Sequence, residues 1–175
     1  MWILAESKDN WMYYPKTKKA DDLSVSVIRQ FEAVKDNIDS EKYDHNSNTV
    51  LEAVRLGLES IGFTVERGKR ADEKIHVPVL YGMNGQTQLA FDADAFHPDM
   101  KYVIEVEAGR AVVNYQFLKD FFEACTMSDA EYLCIAVRNN YKNRRDFEKV
   151  CSFFDVLFLS GRLGIPLKGI LIVGY

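Results

Sequence analysis

Four carboxylates fall within one short stretch of this chain, Asp92 and Asp94, then Glu105 and Glu107. They lie between Leu89 and Arg110. There, Phe91 to Phe96 and Tyr102 to Glu107 alternate with period two and His97-Pro98-Asp99 interrupts, which predicts two strands joined by a short turn. Alternate side chains of a strand share a face, so Asp92 goes with Asp94 and Glu105 with Glu107. A turn centred between Pro98 and Asp99 sets Asp92 opposite Glu105 and Asp94 one step diagonally away. Like charges packed this way repel and are costly to desolvate. The tenant their oxygens suit is a hard divalent cation, Mg²⁺ or Mn²⁺. A hairpin with one solvated face accounts for the same residues without a ligand, although Asp is disfavoured in strands and occurs here twice.

The chain that must position these groups has 175 residues, 47% hydrophobic and 27% charged, as expected of a single globular domain with a sizeable core. Its formal net charge of −4 counts against a surface that embraces nucleic acid everywhere, but leaves room for a local basic patch. No stretch reads as a signal peptide or membrane span, so a cytoplasmic location is the default expectation. Cys125, Cys134 and Cys151 have apolar neighbours and no metal spacing, and are expected as reduced, buried thiols.

From Met1 to Asp22 the chain has no period but carries Trp2, Trp11, Tyr13 and Tyr14, an arm expected to anchor its aromatics on the domain body or a second subunit. Helical spacing predicts helices over 23–37, from about Asn46–Asn48 to Ile61, over 111–127 and over 146–162. Strands are expected at 63–66, 75–81, 87–96, 102–107, 132–137 and 169–175, with Pro78 marking an edge or bulge and Asn84-Gly85 a tight turn. Arg67, Lys69, Arg70 and Lys74 form a charged loop. His76 is expected as a satisfied structural residue. The segment from Arg138 to Arg145, with Lys142 and Arg144, is the most basic loop, and its composition suits phosphate contacts. Lys119 on the third helix and Arg110 at the strand exit are further cationic candidates.

This order describes an α/β domain with a mixed central sheet flanked by helices. With an acid in a flanking helix, an Asp on one strand and Glu-x-Glu on its neighbour, it resembles the PD-(D/E)XK nuclease superfamily and its restriction-endonuclease-like fold. The resemblance spans roughly Asn48 to Tyr175, with residues 1–46 as N-terminal arm and accessory helix and 47–175 as the core. Glu52 matches the helix acid ahead of Gly62-Phe63, Asp94 followed by Ala95-Phe96 matches the central Asp, and Glu105 matches the (D/E). Glu107 stands where Lys is usual, as in the minority of members that carry Glu-x-Glu. Pro98-Asp99 is a decoy in the turn.

The resemblance implies hydrolysis of phosphodiester bonds in nucleic acid, DNA or RNA, with DNA considered first. It implies catalytic roles for Glu52, Asp94, Glu105 and Glu107, and a Mg²⁺ or Mn²⁺ ion on Asp94 and Glu105 with Asp92 as an auxiliary acid. Phosphates would meet Arg110, Lys119, Arg138, Lys142, Arg144 and Arg145. A protein cutting two strands with one compact domain would most simply be a homodimer. Two other readings remain: a nuclease-fold binding or regulatory module without chemistry, and an interaction protein that dimerises through its aromatic arm and the helix around Phe153 and Phe154.

Overall fold

Two apolar runs, Tyr132–Val137 and Gly169–Gly174, are buried on nearly every side chain and form the middle of a six-stranded mixed sheet. Strands covered on both faces read as continuous hydrophobic runs, which is why these two are so legible. The computed structural model describes residues 10–175; Trp2 of the expected arm lies outside them.

Along the chain the elements are β1 (Asn10–Tyr14), α1 (Asp22–Ile38), α2 (Ser47–Ser60), β2 (Thr64–Val65), β3 (Ile75–Tyr81), β4 (Thr87–Ala93), β5 (Ala95–His97), β6 (Tyr102–Glu107), α3 (Gln116–Thr126), β7 (Tyr132–Val137), α4 (Asp146–Ser160) and β8 (Gly169–Gly174). The sheet order is β1-β8-β7-β6-β5-β2, with β6, β7 and β8 parallel and the outer pairings antiparallel. The chain is thus an α/β protein. No described helix is long and apolar enough to cross a membrane.

Alternation divides the sheet between two cores. Ile104, Val106, Cys134, Ala136, Leu171 and Val173 pack against α1 and α2. Val103, Leu133, Ile135, Val137, Ile170 and Ile172 pack against α3, α4 and the β3–β4 hairpin. Capping sets the starts of the first two helices: Asp21 accepts from Ser24 N–H at 2.8 Å, and Asn46 accepts from Thr49 N–H at 2.9 Å.

Several expectations are corrected. The arm contributes β1, an edge strand paired with β8, and its Tyr13 and Tyr14 are buried in opposite cores. No periodicity announced β1 because only Tyr13 and Tyr14 of its five residues are buried. The third helix starts at Gln116, not at residue 111, because Tyr115 takes a left-handed conformation (φ 52°) ahead of it; Val113 consequently falls off the expected apolar stripe and is exposed. The expected strand over 87–96 is broken at Asp94: β4 leaves the sheet to pair with β3, and only β5 stays. Pro78 lies beside a register shift in that hairpin, as expected of a bulge.

Phe154, which the interaction reading placed at a dimer surface, is fully buried. Its ring meets Phe117, Phe121 and Phe153 edge-on at centroid distances of 6.3, 5.4 and 5.5 Å. Phe154→Ala is expected to cost about 3–5 kcal/mol, read as a lower urea midpoint at unchanged slope; a loss under about 1 kcal/mol would show that this core repacks freely.

Candidate functional site

Where β5 meets β6 the register pairs Ala95 with Ile104, Phe96 with Val103 and His97 with Tyr102. One step further sets Asp94, not Asp92, across from Glu105. The reason is a turn centred one residue later than expected, between Asp99 and Met100, with Lys101 in the left-handed region (φ 53°). Asp94 is the pivot of this end of the sheet: its carboxylate accepts from Val106 N–H at 2.7 Å, and its carbonyl accepts from Glu66 N–H at 2.8 Å.

Asp92 goes elsewhere. On the β3–β4 hairpin it faces His76 in the register and is held by Lys74 Nζ at 2.5 Å and by the His76 ring at 2.7 Å. It is exposed, and the ammonium beside it holds its carboxyl below the usual range. Asp92 is therefore not an auxiliary acid of this cluster, and Lys74 is committed to Asp92. His76 is satisfied in the same contact, as expected.

Two acids that the sequence reading passed over complete the group. Glu66, just past β2, hydrogen-bonds the Asp94 carboxyl. Asp120 on α3 hydrogen-bonds Glu107 and is 5% exposed, with its Oδ2 unpartnered. Asp120 was detectable, since it lies on the buried stripe of α3 with Phe117, Phe121 and Ala124, and an acid on such a stripe needs a reason. Glu66 carried no such signal.

Burial dominates the electrostatics. It pushes the Asp94 carboxyl up to about 7 against the opposing pull of the Val106 N–H, and the Glu66 and Glu107 charges add to the rise. Burial likewise raises Glu105, helped by Asp94 and Asp120, and raises Glu66, Glu107 and Asp120. Two proton-sharing pairs result, Asp94 with Glu66 and Glu107 with Asp120. Among the described residues, no three His, Cys, Asp or Glu side chains already converge to grip one ion. In this arrangement the acids pair with one another and with the backbone.

Glu52 is an exposed acid of α2, ion-paired with Arg55. It borders a cavity of about 100 Å³ that Glu66 also lines, so the acid touching Asp94 is Glu66. Lys119 bonds Glu123 at 3.2 Å, and its charge also reaches Glu105 and Asp120.

On the far side of Glu107 the basic loop is folded tightly. Lys142 and Asn143 both take positive φ (48° and 66°), and Tyr141 and Arg144 exchange backbone bonds of 2.8 and 2.9 Å, the geometry of a two-residue hairpin turn. Arg138, Lys142 and Arg144 lie 4.9, 5.1 and 5.1 Å from the Tyr141 ring. Arg138 itself is buried and bonds the Asp44 carboxylate and the His45 carbonyl, while Arg145 reaches Glu148 at 3.0 Å.

The raised acids set the sign of the pH dependence. A carboxyl that titrates near 7 when folded and near 4 when unfolded binds more protons in the native state. Its stabilising contribution is complete below about pH 4 and is lost as pH climbs to about 7. In chelator, the melting temperature is expected to fall from pH 5 to pH 8. Asp94→Asn keeps the acceptor for Val106 and is expected to flatten that fall and to be more stable than wild type at pH 8 by about 1–3 kcal/mol. Calorimetry checks this, and a wild-type melting temperature that rises over the same range contradicts it.

Compared with models of protein families, with curated proteins and with solved structures, the chain matches none.

Proposed function

We propose that the chain is a metal-dependent nuclease of the restriction-endonuclease-like type, hydrolysing phosphodiester bonds in nucleic acid, with DNA the first substrate to test. The observation that carries this reading is the placement of Asp94 opposite Glu105 on paired strands, with Glu107 one alternate position further and Asp120 leaning in from α3. The donors fit a hard divalent cation, Mg²⁺ or Mn²⁺: all are carboxyl oxygens, several are held at a desolvation cost that a cation would offset, and Asp120 Oδ2 is a buried oxygen without a partner. Asp94 and Glu105 would hold the ion, with Asp120 completing the set.

A cation bound there supplies Lewis-acid activation of water and neutralises charge on the phosphate. The remaining work belongs to the chain. Glu107, whose proton affinity is raised by burial, accepts the proton of the attacking water as a new P–O bond forms and the scissile P–O bond breaks. The leaving oxygen is protonated from solvent. Lys119 and Arg110 act on the Glu107 charge, and Lys119 provides the ammonium that the usual Lys would give from the position of Glu107. Glu66 fixes the Asp94 carboxyl. The exposed Lys142 and the flanking Arg144 and Arg145 contact substrate phosphates. A symmetric dimer would bring two such sites to two strands.

Titration calorimetry of Mn²⁺, run alongside cleavage of plasmid and single-stranded DNA, tests this. Wild type is expected to bind and to cut. Glu105→Ala should lose calorimetric binding and at least roughly 10²–10³ of the rate. Binding without cleavage of DNA or RNA favours the non-catalytic module, and no binding retires the metal site.

A further inference from the structure

We propose that the cavity between the basic hairpin and the start of α2 is a phosphate subsite for the nucleic-acid chain, adjoining the carboxylate group that would do the chemistry and sharing Glu107 with it. The inference rests on the nuclease reading for the identity of its ligand, but its geometry is independent of it. The cavity, about 390 Å³, is lined among others by Asp44, Asn46, Glu107, Arg110, Arg138 and Tyr141. Phosphate chemistry converges on it from three elements.

Arg138 is the fixed cation. Its side chain is 5% exposed, its terminal nitrogens bond Asp44 and the His45 carbonyl, its guanidinium lies over the Tyr141 ring, and its Nε has no partner. Immobilising an arginine this way removes most of the entropy an anion must otherwise overcome on binding it. Arg110 is the adaptable cation, exposed on the loop after β6. The third contribution is the amino end of α2, fourteen residues long, whose Asn46 cap occupies Thr49 N–H and leaves the first helical N–H groups and the helix dipole for an anion.

Asp44 is the built-in competitor. Its side chain is 80% exposed and paired with the buried Arg138, so it gives up that pairing to an anion that replaces its charge on the guanidinium. An incoming phosphate takes its place on Arg138 Nη1, in a charge-assisted bond, while Nη2 stays on the His45 carbonyl. Glu107 itself lines the cavity, which sets a phosphate seated here beside the acid strand. The ligand is a phosphate ester, either a monoester at a strand end or a diester beside the scissile one, and the experiment separates the two.

The test is fluorescence anisotropy in chelator, using one labelled oligonucleotide with a 5′-phosphate and the same one with a 5′-hydroxyl. Wild type, Arg110→Ala and Asp44→Asn are compared. The two changes are on exposed side chains and leave buried Arg138 in place. Arg110→Ala is expected to weaken binding about tenfold, and Asp44→Asn to tighten it severalfold. A preference for the phosphorylated strand that vanishes in Arg110→Ala assigns a terminal phosphate; equal affinities that both fall assign an internal one. Unchanged affinity in Arg110→Ala, or weaker binding in Asp44→Asn, overturns the subsite. Cleavage is not read, so a wild type that binds in this manner yet fails to cut with Mn²⁺ retains the subsite while the hydrolytic reading falls.

Discussion

The cost of keeping carboxyl groups away from water governs the end of the sheet where β5 and β6 meet. Asp94, Glu105, Glu107, Asp120 and Glu66 are gathered where burial raises every one of them. A buried acid must be protonated, bonded or compensated. Here the backbone is bent to do part of that work. Asp94 leaves the strand ladder to accept the Val106 N–H and to offer its carbonyl to Glu66, and at that break β4 departs to form the separate hairpin with β3. The departure carries Asp92 into a solvated ion pair with Lys74, so one residue's conformation decides which aspartate belongs to the group.

That division explains what could be read from the residues alone. The inner strands β7 and β8 were legible because continuous burial writes continuous apolar runs: β7 matches its expected span and β8 ends one residue short of it. The mixed α/β class followed from the alternation of those strands with periodic helices. Glu105 and Glu107 were placed correctly on one face because period two survives any register. Asp92 and Asp94 were not distinguishable, since the choice between them hinged on where the turn is centred, and it is centred one residue later than expected, with Lys101 left-handed at its end. Asp120 went unnoticed because it reads as an ordinary helix acid until its stripe is drawn. Glu66 is brought to Asp94 by tertiary pairing of β2 with β5, which no local pattern encodes.

Opposite charge accumulates on the other side of Glu107. A chain of net charge −4 keeps Arg138, Lys142 and Arg144 around a single tyrosine ring, against the glycine at 109. A Cβ at Gly109 would come within 2.6 Å of that ring, and its φ is +85°, so both the close approach and the backbone demand glycine there. The acids and the bases are thus fixed at neighbouring positions by one short turn after β6. Acids set beside bases in this way are the charge distribution that the proposed phosphodiester hydrolysis would use.

The most direct test of the central claim is a crystal grown or soaked with Mn²⁺ and measured at its absorption edge. A cation site among these acids gives an anomalous peak between Asp94 and Glu105, with the hydrogen bond between Glu107 and Asp120 opened or rearranged. A peak confined to exposed acids such as Asp92, or none near Asp94 at saturating Mn²⁺, contradicts it and leaves the buried carboxyls as a proton-sharing cluster alone.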